Sequence, residues 1–406
     1  MVDFITPRGM RDFLPEEMAF RSKIMDKIRA VFESYGFDPA CTPAIEYLNV
    51  LEAKKAGGEE LTSQTFEIED MGLRYDQTVG MARMVATNSL PKPFKRYSIA
   101  PVWRREEPQY GRSREFWQAD IDTIGSDSIK CEAEILACAY DALKAIGIKS
   151  TIYINNRETI EDILAKAGIK EDQMAAAMRI LDKLKKKGKA EVEKEMLAKG
   201  ISKINISKIF DILGSDSKDF KGIDKLNEII DLCKDYGIKD IKIDYSLIRG
   251  FAYYTSLVFE FEGEKGEKNI GSIAGGGRYD NLLGLYGSPA PAVGLGLGLE
   301  RIFEILKPEK FERKTDAKIY VAVIKNEFYN YAISVAQELR EKGISVSMDL
   351  TDRNLRKQLD YANSLGVPFL AVIGEKEMKD KKITLRDMKS GKEEFISTKD
   401  AVKLIV

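Results

Sequence analysis

Three stretches of this chain hold residues whose types and spacing can do chemistry without an imidazole. In residues 94–125, FKRYSIAPVWRREEPQYGRSREFWQADIDTIG, an apolar run ends in Arg104, Arg105 and Glu106, and an arginine- and glycine-rich loop carrying Arg112 follows. A second run then begins Arg114-Glu115-Phe116 and bears Gln118, Asp120 and Asp122 at a spacing of two, on one face of a strand. Guanidinium forks suit the oxygens of a triphosphate. A row of acceptors suits a small ligand that is cationic or rich in hydrogen-bond donors. A surface hairpin laced with salt bridges accounts for the charges, but not for polar residues in a strand otherwise patterned for a core.

The second stretch, AVGLGLGLERIF at 292–303, alternates Gly294, Gly296 and Gly298 before a helix that carries Arg301 on its first turn. This is not the Gly-x-Gly-x-x-Gly of a dinucleotide loop. Spacing by two describes a strand with one bare face, open to a flat group such as a purine ring. A structural reading also stands, in which the glycines admit a neighbouring helix and Arg301 makes a salt bridge. The third, SLIRGFAYYTSLVFEFE at 246–262, sets Arg249, Tyr253 and Tyr254 at the mouth of a strand. Nearby, SIAGGGRYDNLLGLYG at 272–287 presents Arg278 and Tyr279 after three glycines; no Lys-Ser or Lys-Thr follows, so it is not a P-loop.

The chain has no histidine among its 406 residues, which excludes imidazole-based triads, HExxH metal sites and histidine proton shuttles. Its chemistry must rest on positioning and charge stabilisation, or on a carboxylate, lysine, cysteine or tyrosine. Cys41, Cys131, Cys138 and Cys233 show no CxxC spacing, so they read as reduced thiols rather than a zinc site or a disulfide framework. The N-terminus MVDFITPRGMRDFLPEE lacks the layout of a signal peptide, and no apolar run is long enough to span a membrane; a soluble, cytoplasmic protein is expected.

Elements must position these groups. Apolar spacing predicts helices over 15–35 and 128–147, and strands over 65–75, 97–103, 116–124, 151–154, 241–245, 257–261 and 271–274. Strands grouped in this way predict an α+β fold built on an antiparallel sheet flanked by helices. Residues 157–236 are lysine-rich and helical, an insertion in the sheet domain. Its lysines 185–187 could touch a nucleic acid backbone, or form a solvated helix face. After the charged connector 307–318, strands and helices alternate as in a small α/β domain with a largely parallel sheet. The expected organisation is a catalytic domain in two parts, 1–156 and 237–308, interrupted by the insertion 157–236 and followed by an α/β domain at 316–406.

The WRRE stretch, with the strand behind it, resembles motif 2 of the class II aminoacyl-tRNA synthetases. Over essentially the whole chain the pattern is similar to the histidyl-tRNA synthetase family in its archaeal form. RGMRDFLPEE looks like that family's N-terminal signature, and Pro43 falls at the motif 1 proline of the dimer interface. LRYDQTVGMARMVA resembles the amino-acid-binding segment, GLGLERI resembles motif 3, and RGFAYYTS and GGGRYDNL resemble the two histidine-specific signatures. The last 90 or so residues are similar to the anticodon-binding domain of related synthetases.

The resemblance implies ATP-dependent activation of L-histidine and transfer to the 3′ end of tRNA(His) by a homodimer. It implies Mg²⁺ carried with ATP, and tRNA held by the C-terminal domain and possibly by the insertion. It further implies Arg104, Arg249 and Arg301 as catalytic phosphate ligands, with Glu106, Arg112 and Phe116 completing the ATP site. Asp76, Thr78, Gln118, Asp122, Tyr253, Tyr254 and Tyr279 would hold histidine. The chain departs from many relatives at Ala252, Gln77 and Asp122, where an aspartate, a small or apolar residue and a glutamate are more usual. Two other readings stand beside this one: a non-catalytic paralogue acting as a regulatory histidine sensor, and another class IIa synthetase such as the prolyl enzyme.

Overall fold

The computed structural model describes residues 4–53, 64–108, 113–215, 219–248, 254–265, 268–308 and 314–405. Arg112, Arg249, Ala252 and Tyr253 lie outside the described residues. The chain divides into two compact units, Met1–Arg11 with Ile24–Leu306 and Asp12–Lys23 with Lys307–Val406.

The first unit carries, in chain order, β1 (Asp38–Pro39), β2 (Ile45–Tyr47), β3 (Glu67–Ile68), β4 (Met71–Leu73), β5 (Phe94–Trp103), β6 (Glu115–Ile124), β7 (Lys149–Asn156), β8 (Ile241–Ile243), β9 (Leu257–Lys265), β10 (Lys268–Arg278) and β11 (Ala292–Gly298). Among the described residues, an eight-stranded sheet runs β1-β5-β6-β11-β10-β9-β7-β8. Its interior pairs are antiparallel, while β1 on β5 and β8 on β7 are parallel at the edges. Pro39 sits in an edge strand, where its missing N–H costs no ladder bond. The strand expected over 65–75 is instead a hairpin, β3 and β4, turning through Glu69 at φ 58° and pairing with β2.

Helices of this unit follow the sheet. They are α1 (Pro15–Ser34), which begins in the other unit, α2 (Leu48–Glu52), α3 (Thr78–Thr87), α4 (Ile129–Ala145), α5 (Arg157–Lys166), α6 (Glu171–Leu181), α7 (Leu184–Ala198), α8 (Lys203–Leu213), α9 (Ile223–Asp235) and α10 (Leu299–Leu306). The Ser128 hydroxyl accepts from Lys130 N and caps α4, which buries Ile135, Leu136, Ala139 and Leu143. Helices α5 to α8 share a core of their own, with Ile160, Leu164, Met178, Val192, Met196 and Ile209 buried together. Helix α9 packs instead on α4 and β7. Two lysines of the 185–187 run are tied to acids: Lys185 lies 3.0 Å from Asp244 and 3.3 Å from Glu262, and Lys187 lies 2.8 Å from Glu195.

The second unit holds β12 (Ile319–Val323), β13 (Val346–Met348), β14 (Phe369–Ile373), β15 (Ile383–Asp387) and β16 (Glu393–Ile396) in the order β13-β12-β14-β15-β16. The first three are parallel, as expected from their alternation with helices at Tyr329–Glu341 and Leu355–Ser364. The last two extend the sheet as an antiparallel hairpin that the charged stretch 383–396 did not advertise.

Candidate active site

Strand β6 forms the middle of the site, between β5 and β11. Its register sets Gln118 between Ala100 and Gly298, Asp120 between Ser98 and Gly296, and Asp122 between Arg96 and Gly294. The alternating glycines therefore face the alternating acceptors. A Cβ at Gly294 would lie 2.0 Å from Asp122 Oδ1 and 2.8 Å from the Tyr279 hydroxyl, and one at Gly296 would lie 2.8 Å from Asp120 Oδ1. Those two glycines make room for neighbouring side chains. Over Gly298 the nearest atom is the Ile273 carbonyl at 3.7 Å, so space for a flat ring narrows to that end of β11, three residues before Arg301.

Asp122 is the electrostatic centre. Arg96 Nη2 lies 2.6 Å from its Oδ2, with both side chains almost wholly buried, and the Tyr279 hydroxyl donates to Oδ1. Burial pushes the Asp122 carboxyl up, opposed by Arg96 and the Tyr279 hydrogen bond, and the net shift is upward. Asp120, 5 % exposed, has no hydrogen bond at Oδ1; burial pushes it up to about 8 despite Arg96. Gln77 Nε2 donates to the Gln118 carbonyl at 3.0 Å, and the Oε1 atoms of both glutamines are buried without a hydrogen-bond partner. Asp76 Oδ1 accepts from Val79 N at 3.0 Å and closes the first turn of α3, which begins at Thr78. Asp76, which acts on both Asp120 and Asp122, is thus set with Gln118 around one acceptor-rich floor, and Thr78 opens the helix that follows it.

At the end of β5, Arg104 Nε donates to the Tyr75 carbonyl at 3.0 Å, and its guanidinium lies 5.0 Å from the centre of the Phe116 ring. Glu106 Oε1 is 4.0 Å from Arg104 Nη1. Arg104 N donates to the Arg114 carbonyl at 2.8 Å, which joins the two arms of the hairpin. The Glu300 carboxylate accepts from Trp117 N at 3.2 Å, while Arg301 Nη1 donates to the Ser272 carbonyl at 2.5 Å and is turned toward β10. Tyr254 and Tyr279 share an apolar cluster with Met81, Ala82, Val258 and Leu282. The Tyr254 ring lies so close to β10 that a Cβ on Gly277 would fall 2.8 Å from it.

Two buried arginines of this site carry no assigned role in the sequence reading. Arg96, in the FKRYS run, pairs with Asp122 across the β5–β6 register. Arg278 makes a two-pronged ion pair with Glu132 of α4, both bonds 2.6 Å, and meets Asp280 at 3.1 Å, fixing the backbone just before Tyr279. The signal for Arg96 was its place opposite Asp122 once the two strands are paired.

The model of a family described as histidyl-tRNA synthetase matches residues 9–302, and the model of an anticodon-binding domain matches 318–406. The chain is 36% identical to a histidine–tRNA ligase of Pyrococcus furiosus, covering 98% of each. It is 37% identical to one of Thermococcus kodakarensis, covering 98% of this chain and 97% of that one. The crystal structure of a histidyl-tRNA synthetase from Nostoc sp. PCC 7120 matches over 100% of this chain and 99% of its own, with a TM-score of 0.85 and 31% identity.

Proposed function

The chain belongs to the histidyl-tRNA synthetase family, and on that premise we propose how its residues carry out ATP-dependent activation of histidine and its transfer to tRNA. What carries the assignment is the row Gln118, Asp120, Asp122 on β6, with Asp76 beside it and Arg104 at its end: acceptors for an amino acid beside a cation for its nucleotide. Activation is attack of the histidine carboxylate, already ionised at neutral pH, on the α-phosphorus of ATP, with pyrophosphate leaving. No general base is needed, so a chain without histidine can catalyse it by alignment and charge stabilisation.

In this reading Asp76, Thr78 and Gln118 hold the α-ammonium. The Tyr279 hydroxyl, committed as donor to Asp122, turns its lone pair outward and so accepts from an imidazole N–H, with Tyr254 and Tyr253 closing the pocket. Arg96 pairs with Asp122 and aims it. Arg104, held by the Tyr75 carbonyl and by Phe116, takes the α-phosphate; Arg249 takes it from the histidine side. Adenine stacks between the remaining face of Phe116 and Arg301, above Gly298, while Arg301 reaches the γ-phosphate and Glu106 and Arg112 line the nucleotide. Among the described residues no group of three or more acidic or cysteine side chains could hold a metal by itself. Mg²⁺ would arrive on the ATP phosphates and offset their charge.

The adenylate then passes to the terminal 3′-hydroxyl of tRNA(His), with AMP leaving and the C-terminal unit gripping the anticodon end. Among the described residues no helix is long and apolar enough to cross a membrane; we place the enzyme in the cytoplasm. We also take it to be a homodimer, supported by the exposed Pro43 beside Ile45 and Tyr47, 41% and 59% exposed, an apolar edge that a second copy would cover. The regulatory-sensor reading draws no support from the preserved Arg104, Arg249 and Arg301. Charging of total tRNA with labelled histidine tests the proposal; charging that requires ATP is expected, and none under any condition would overturn it.

A further inference from the structure

Asp120 stands outside the roles given above. It lies on the same face as Gln118 and Asp122, the residue is 5 % exposed, and its Oδ1 is buried without a hydrogen bond. Around it, the Gln77 and Gln118 Oε1 atoms are likewise buried and unbonded. From β11 the facing residue is Gly296, which offers no polar side chain. Among the described residues, the charged groups that act on it include Arg96 from β5, Arg104 at the end of β5, Asp122 on its own strand, and Asp76 ahead of α3. Among the described residues, three carboxyls thus share two guanidiniums. If all ionised, the cluster would carry a net negative charge in a buried site, with three acceptors lacking a donor. A proton on one carboxyl restores the balance, and Asp120, with no ion pair among the described residues, is the carboxyl that takes it.

An amino acid changes that balance. Its α-ammonium, placed beside Gln118, brings one positive charge and three N–H donors to a set of unbonded acceptors. We propose that Asp120 is a proton-coupled binding residue of the amino-acid pocket, holding a proton while the pocket is empty and releasing it to solvent when the substrate's α-ammonium arrives. The inference rests on the histidine-binding reading above. The upward shift of Asp120 to about 8, caused by burial, agrees with it: the proton is retained in the empty pocket near neutral pH, and the binding-competent form is reached by losing it.

The test is calorimetric titration of the full-length protein with L-histidine at pH 7.5, repeated in buffers of different ionisation enthalpy, for the wild type and Asp120→Asn. The wild type should release a substantial fraction of a proton more per histidine bound than the variant. Its affinity advantage over the variant should grow roughly tenfold between pH 7 and pH 8.5. Equal proton counts, or an affinity ratio flat with pH, would overturn the proposal, since a carboxyl that only supports the fold changes neither. Should Asp120→Asn fail to fold, the histidine-induced infrared difference spectrum of wild-type protein with carboxyl-labelled aspartate serves: loss of a protonated-aspartic-acid carbonyl band is expected, and its absence is the contrary result. Histidine-dependent pyrophosphate exchange by the wild type, measured alongside, separates the two claims. If exchange fails, the underlying site reading falls; if it succeeds with equal proton counts, this inference alone falls.

Discussion

Replacing Arg96 with methionine keeps most of the side-chain volume and removes the charge that faces Asp122. The two groups are 2.6 Å apart, 2% and 3% exposed, and the other acids acting on Asp122 include Asp76. The substitution therefore leaves a buried carboxylate with the Tyr279 hydroxyl as its remaining strong partner, beside like charge. Removing one member of a buried pair costs about 3–5 kcal/mol, because the survivor stays desolvated and uncompensated. At about 2–4 °C per kcal/mol for a domain of a few hundred residues, the melting midpoint should fall by about 10 °C. Thermal unfolding followed by circular dichroism measures it. The double variant Arg96→Met/Asp122→Leu removes both charges and should recover most of that loss, since an apolar pair of similar volume is often no worse than a buried ion pair. A drop of less than about 1 kcal/mol in the single variant, or losses that simply add in the double, would refute the reasoning.

Four further outcomes follow from the same geometry. Gly294→Ala puts a Cβ 2.0 Å from Asp122 Oδ1 and should cost about 1–3 kcal/mol and raise the KM for histidine, whereas Gly298→Ala, with 3.7 Å of room, should leave stability unchanged and raise the KM for ATP; unfolding and exchange kinetics on both check this. Asp120 binds a proton in the folded state that an unfolded carboxyl gives up near its ordinary value. The folded state thus holds more protons between about pH 4 and pH 8, and that contribution is lost as pH rises through about 8. The stability of Asp120→Asn relative to wild type should therefore rise over this window, as urea unfolding across pH would register. Arg249→Ala should lower the pyrophosphate exchange rate by roughly 100- to 1000-fold or more with the melting midpoint unchanged. The KM for tRNA in charging should climb steeply with salt, while exchange, which involves no tRNA, should barely respond.

Much of the site was legible because period-two patterns survive translation into structure. Gln118, Asp120 and Asp122 share a face, and Gly294, Gly296 and Gly298 lie opposite them, as their spacing requires. What spacing could not supply was occupancy: the glycines read as a bare face for a flat ring, yet two of them are filled by Asp122 and Asp120 from the adjacent strand. Arg96 carries no signal of its own in the sequence, because a lone arginine in a strand looks like an edge residue until β5 is paired with β6 and sets it against Asp122. The same limit hid the Arg278–Glu132 pair, whose members are 146 positions apart. In the C-terminal unit, alternating helices announced the parallel strands, while β15 and β16, short and charged, carried too little apolar periodicity to be seen.

We propose that the β6 floor selects histidine and that the flanking arginines activate it with ATP. ATP–pyrophosphate exchange, run with each of the amino acids in turn, tests that most directly. Exchange dependent on histidine and on no other amino acid is the predicted result. Exchange with none would instead favour a histidine-sensing protein without catalysis, and exchange with proline but not histidine would contradict the pocket assigned to Asp122, Tyr254 and Tyr279.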